Sequence, residues 1–142
     1  LGIGSGDVEI RPNVPYPELV TLYREASLFW HLCGLHQDDP AKVEHFGMTI
    51  VEAMSHGVVP LVFNGGGQAE IVRHGVDGYT VSNTTQLQAH TLNLMTQEGH
   101  RAALSEQALI RGRSYGKDRF QREGNAYLSA LTNRLLSVES EA

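Results

Sequence analysis

Two carboxylates, Glu44 and Glu52, stand eight positions apart in the stretch VEHFGMTIVEAMSHGVVPLVFNGGGQAEIV, and between them Gly47 opens an apolar run. If a helix starts near Gly47, the amides of Gly47, Met48 and Thr49 have no partner inside it and carry the positive end of its dipole. Such a tip attracts an anion, and glycine lets a phosphate come close to the backbone. Carboxylates beside an anion are unfavourable unless they face uncharged parts of the same ligand. Sugar hydroxyls are such parts, because a carboxylate accepts two hydroxyl hydrogen bonds with charge assistance. The layout suits a sugar, a diphosphate and a ribose in series, with Glu44 holding hydroxyls on one side of the diphosphate and Glu52 on the other. Spacing by itself favours a plainer reading, in which Glu52 faces solvent and Glu44 flanks a helix whose dipole attracts it.

The elements that would position these residues alternate along the chain. VEIRPNV carries Val8 and Ile10 in alternation before Pro12 and suits a short strand. After Pro15 and Pro17, ELVTLYREA repeats Leu19, Leu22, Tyr23 and Ala26 at helical spacing. SLFWHL is a continuous apolar run, as in a parallel strand covered on both faces, and a polar loop, CGLHQDDPAKVEH, follows it. In GMTIVEAMSH, Met48, Val51 and Met54 mark a helical face ending at Gly57, and VVPLVF is a third strand. NGGG reads as a turn, QAEIVRH as a short helix capped by Gly75, and VDGYTV as a turn into a fourth strand. From Thr85 onward helix dominates, with breaks expected at Gly99, Gly112 and Gly116. Strands alternating with helices give an open α/β sheet of about four or five parallel strands joined by right-handed crossovers.

Composition bounds the class. The 142 residues fit one domain spanning residues 1–142, and 41% hydrophobic with 19% charged residues is the balance of a folded globular chain. No segment approaches the roughly 18 apolar residues of a membrane span, and no signal peptide is visible, so a cytoplasmic location is expected. The net charge of -5 excludes a general attraction to nucleic acid. Arg101, Arg111, Arg113, Lys117, Arg119 and Arg122 nevertheless hold six of the eleven basic residues, which reads as a solvated helix face. Contact with a neighbouring domain or a membrane surface is the lesser alternative. The lone Cys33 cannot form an internal disulfide and reads as a small buried hydrophobe beside Trp30 and Leu32. The chain opens without methionine on LGIGSGDVEI, which reads as a piece of a longer protein.

Other polar clusters are weaker. His31, His36, His45, Asp38 and Asp39 match no metal-ligand spacing, so no metal is expected. His31 ends the SLFWHL strand, either at the crevice or on the surface. Gly65, Gly66 and Gly67 lack the lysine of a P-loop and read as a tight strand-to-helix turn, with Gly65 and Gly66 lining the pocket. GIGSG is only faintly a dinucleotide fingerprint, since no helix follows it. Tyr23, Phe29, Trp30, Met48 and Met54 are expected in the core.

Over residues 40–85 these signals fall into one order: Glu44, Phe46-Gly47, Glu52 with Ala53-Met54, Gly57, a strand with Pro60, Gly66-Gly67, Glu70-Ile71-Val72, then Gly78 before Tyr79. This resembles the donor-binding core of the retaining glycosyltransferases of the two-lobed GT-B fold, often called family 4. The resemblance implies a Rossmann-like open parallel sheet with flanking helices, the C-terminal half of a GT-B fold. It implies a hexosyltransferase that binds a nucleotide-diphosphate sugar and passes the sugar to an acceptor hydroxyl. By it, Glu44 is the catalytic-site glutamate that contacts donor-sugar hydroxyls and stabilises positive charge at the anomeric carbon. Glu52 binds ribose hydroxyls, Phe46, Gly47, Met48 and Thr49 reach the diphosphate or sugar, and His45 shapes the sugar pocket. The family needs no divalent metal or other cofactor and uses an arginine–lysine pair, expected upstream of this piece. Arg11 and Arg24 are not read as that pair. The acceptor lobe is expected outside it too, so the piece alone should not turn over, and the intact enzyme could sit at the cytoplasmic face of a membrane. Two alternatives stay open: a non-catalytic nucleotide-binding module and a sugar-nucleotide epimerase.

Overall fold

The computed structural model describes residues 8–37, 39 and 44–140, except the side chains of 131 and 133–140. Its elements run α1 (Tyr16–Glu25), β1 (Leu28–His31), α2 (Met48–Ser55), β2 (Val59–Phe63), α3 (Gln68–Ile71), β3 (Tyr79–Val81), α4 (Thr84–Thr96), α5 (Glu98–Arg113) and α6 (Lys117–Ser140). The strands form one parallel sheet in the order β1-β2-β3, with Leu28 opposite Val59 and Leu61 opposite Tyr79. Each parallel connection is a crossover through a helix.

The central strand β2 is buried on both faces because helices cover both. On one face Val62 packs with Ile50, Met54, Ile71 and Ala108, from α2, α3 and α5. On the other, Val59 and Leu61 pack with Val81, Leu87, Leu94 and Leu104, from β3, α4 and α5. Tyr23 of α1 closes a third cluster with Ala53 and Val58. Proline is unfavourable in a central strand, but Pro60 faces Gly78, one residue before β3 begins, so its missing N–H removes no bond from β3.

Several expectations are corrected. The VEIRPNV segment is no strand: Val8 and Ile10 are 61% and 86% exposed, and the chain turns at Pro12-Asn13 without pairing to β1. Three strands, not four or five, make up the sheet among the described residues. The apolar stripe of α2 is Ile50, Ala53 and Met54; Met48 lies outside it and is 68% exposed. Trp30 is 53% exposed because it alternates with Phe29 and His31 onto a face that α4 covers only in part. Cys33 sits in an exposed turn. Helix α3 stops at Ile71, before Gly75, as the Asp77 carboxylate takes the Arg73 amide at 2.7 Å and its guanidinium at 2.6 Å.

Gly112 does not break a helix either. It lies within α5, where a Cβ would come 2.4 Å from the Ser55 amide nitrogen, so its lack of a side chain lets α5 close on α2. The break before α5 falls at Gln97, and Gly116 does separate α5 from α6. Part of the basic stretch is structural rather than solvated. The Arg101 guanidinium donates to the Leu94 carbonyl, Arg111 to the Ile71 and Glu70 carbonyls, and Arg111 and Arg119 stack on Tyr115. Among the described residues no helix is long and apolar enough to cross a membrane. GIGSG lies outside the described residues.

Candidate functional site at the amino end of α2

Parallel strands deliver their carboxyl ends to one edge of the sheet, where ligands of open α/β folds bind. Here that edge gathers His31 at the end of β1, the 64–67 turn after β2 and the loop 44–47 leading into α2. Gly47 caps α2 at φ 94°, a left-handed conformation suited to glycine, and a Cβ there would meet Ile50 Cδ1 at 2.6 Å. It offers the helix no side-chain cap. His45, Phe46, Met48 and Thr49 are exposed around it, while Gly47 itself is buried.

The glycine turn holds this loop in place. The Gly67 amide donates to the Glu44 carbonyl at 2.9 Å, and a Cβ on Gly67 would lie 2.0 Å from the His45 carbonyl oxygen. Gly65 packs under the Phe63 ring and Gly66 is exposed at φ 59°. The turn thus acts on the loop through Gly67.

The Glu44 carboxylate, about one-third exposed, accepts the Phe46 amide at 3.2 Å and lies 3.7 Å from His31 Nε2. The other ring nitrogen, Nδ1, is 2.8 Å from Gln68 Oε1, and Gln68 Nε2 donates to the Cys33 carbonyl at 2.7 Å. Gln68 is fully buried. Reading the chain alone missed this residue: a glutamine opening a short helix looks like an ordinary solvated position, and nothing local marks its partners.

Glu52, on the second turn of α2, is half-buried and faces Tyr23 of α1. The Tyr23 hydroxyl is pushed up to about 12, first by burial and then by the nearby Glu52 charge. Behind Glu52, its own carbonyl accepts from the Ser55 hydroxyl at 2.7 Å and from His56 Nδ1 at 2.8 Å, and the His56 ring stacks on Tyr23. Glu52 also rims a groove of about 570 Å³ shared with Phe46, Met48, Val51, Tyr115 and Phe120. Tyr115 and Phe120 are a second omission of the sequence reading, since they come from a distant part of the chain.

The structure therefore brings His31 to Glu44, and Phe46 and Met48 to Glu52, around one helix tip. It does not gather the other polar candidates: among the described residues no three His, Cys, Asp or Glu side chains are grouped to hold a metal, and Asp38 lies outside them. Arg11 pairs with Glu9 at 2.7 Å and Glu18 at 3.4 Å.

The model of the family glycosyl transferases group 1 matches residues 4–111. The chain is 50% identical over 42 residues to sucrose synthase 2 of Pisum sativum, covering 30% of this chain and 5% of that protein. It is 26% identical over 130 residues to the GDP-Man:Man(3)GlcNAc(2)-PP-Dol alpha-1,2-mannosyltransferase of Dictyostelium discoideum, covering 91% of this chain and 24% of that protein. In fold it is similar to Anabaena HepE, solved in complex with UDP, at a TM-score of 0.64 and 24% identity over 77% of this chain and 29% of HepE. The chain spans less than a third of each of these proteins.

Proposed function

The chain belongs to the glycosyl transferases group 1 family, and on that premise we propose that it is the donor-binding domain of a retaining, metal-independent glycosyltransferase acting on a nucleotide-diphosphate sugar. The observation that carries this reading is the amino end of α2, capped by Gly47 and flanked by Glu44 and Glu52. The first-turn amides of α2, which have no partner within the helix, and the helix dipole suit the diphosphate of the donor. Glu52 takes the ribose hydroxyls and Glu44 the sugar hydroxyls. HepE, of similar fold, holds UDP, which supports a nucleotide ligand.

Chemistry at such a site breaks the bond from C1 of the sugar to the diphosphate. Negative charge grows on the departing phosphate, where the α2 amides stabilise it, and positive charge grows at C1, where the Glu44 carboxylate stabilises it. His45 and Phe46 shape the sugar side, and His31, Gly65 and Gly66 complete the pocket wall. Cations for the leaving group and the residues that present the acceptor hydroxyl come from the rest of the enzyme.

The test is calorimetric binding of UDP, GDP and ADP, and of their sugars, to this chain and to Glu52→Ala. One nucleoside diphosphate should bind in preference, and the substitution should weaken it about tenfold, as expected for loss of charge-assisted hydrogen bonds. Equal, absent or unchanged binding would overturn the proposal.

A further inference from the structure

The hydrogen bonds around Gln68 determine more than its own position. A carbonyl only accepts, so the Gln68 group facing Cys33 is its NH2, and its oxygen must face His31. That oxygen in turn accepts, so His31 carries a proton on Nδ1 in every ionisation state. When the ring is neutral, Nε2 is a bare lone pair. It points at Glu44 Oε2 across 3.7 Å, and a carboxylate is also acceptor-only. The imidazole is 15% exposed and the carboxylate 32%, so solvent relieves this opposition only in part. The pair is matched when a hydrogen enters the gap.

A proton on Nε2 supplies one, and a single hydroxyl placed beside both atoms then completes the arrangement. The hydroxyl oxygen accepts from Nε2–H while its own hydrogen is donated to the Glu44 carboxylate. An ammonium could not play the accepting part, and a carbonyl or ether could not donate. Among the described residues the charged group facing His31 is Glu44, and the Phe29 ring lies 6.2 Å away on the same strand.

We propose that His31 and Glu44 form a two-sided clamp for one hydroxyl of the donor sugar, with Gln68 as the positioning residue that sets the imidazole tautomer. This rests on the donor-site reading above. It adds His31 as a contact that discriminates the sugar rather than the nucleotide. The 37-residue separation of His31 and Gln68 makes the clamp a product of the fold.

Two measurements test it. Long-range proton–nitrogen NMR of the imidazole, at a pH where the ring is neutral, should show the Nδ1–H form, and Gln68→Met should shift it toward Nε2–H. A neutral Nε2–H ring in the unsubstituted protein overturns the clamp whatever the protein binds. In parallel, binding of UDP is compared with UDP-glucose, and GDP with GDP-mannose, in the unsubstituted chain and in His31→Gln and Gln68→Met. Thermal melts identify a variant that fails to fold, and His31→Gln, at a partly open site, carries the comparison if Gln68→Met does. The substitutions should leave the nucleoside diphosphate within twofold and remove about tenfold from the sugar nucleotide. Equal losses for both ligands overturn the clamp and leave the donor-site reading standing. No binding of any nucleotide by the unsubstituted chain overturns both.

Discussion

At the scale of single residues, the site rests on side chains whose neighbours decide their behaviour. Glu44, Gly47 and Glu52 were legible in the sequence because their relation is local: a helix start and two acids within nine positions. Gln68 and Tyr23 were not, because their partners lie on other elements. Gln68 reaches Cys33 and His31 across 35 and 37 positions, and Tyr23 meets Glu52 from α1. Tyr23 yields a test in alkali. Its folded-state pKa is raised from 10.0 to about 12, so the folded protein keeps a proton that the unfolded chain gives up. The stability this contributes is complete below pH 10 and is lost as pH climbs through about 12. Urea titrations across that range should show stability falling, and falling less steeply in Tyr23→Phe. An identical slope in the variant would mean that Glu52 and burial do not act on this hydroxyl.

At the scale of elements, hydrophobic period located the helices and the three strands but not what covers each face. Met48, Val51 and Met54 share a helical spacing, and so do Ile50, Ala53 and Met54; only the placement of β2, α3 and α5 on one side and α1 on the other selects the second set for burial. Trp30 reads as core from its run of apolar neighbours, yet the sheet leaves its face half open. Glycine is equally ambiguous, since a break and a close contact call for the same residue. Gly112 and Gly99, both in α5, separate the two cases. Gly112→Ala places a methyl 2.4 Å from the Ser55 amide nitrogen and should cost about 1–3 kcal/mol by forcing α5 from α2. A Cβ on Gly99 meets nothing within 4 Å, so Gly99→Ala should be neutral or stabilise by about 0.5–1 kcal/mol through helix propensity. Chemical denaturation of both variants checks the pair; equal effects would contradict the packing described for α2 and α5.

At the scale of the whole molecule, the fold is a sheet whose carboxyl edge presents the amino end of α2, and ligand binding there should be felt by the entire cooperative unit. A nucleoside diphosphate at about 100 times its Kd stabilises the folded state by about 2.7 kcal/mol. For a chain of 142 residues the melting temperature should then rise on the order of 10 °C. Glu52→Ala should show a smaller rise at the same concentration, and no rise in the unsubstituted protein would remove the site from consideration. By itself the sequence determined the α/β class, the helix opening at Gly47 and the acids around it, because capping, periodicity and turn chemistry act over a few adjacent residues. Only the tertiary structure decided that VEIRPNV joins no strand of the sheet, that Gly67 holds the Glu44 loop, and that Gln68 turns His31 toward Glu44. Those outcomes depend on which surfaces meet across dozens of residues, and no local pattern encodes the distance between two side chains brought together by a sheet.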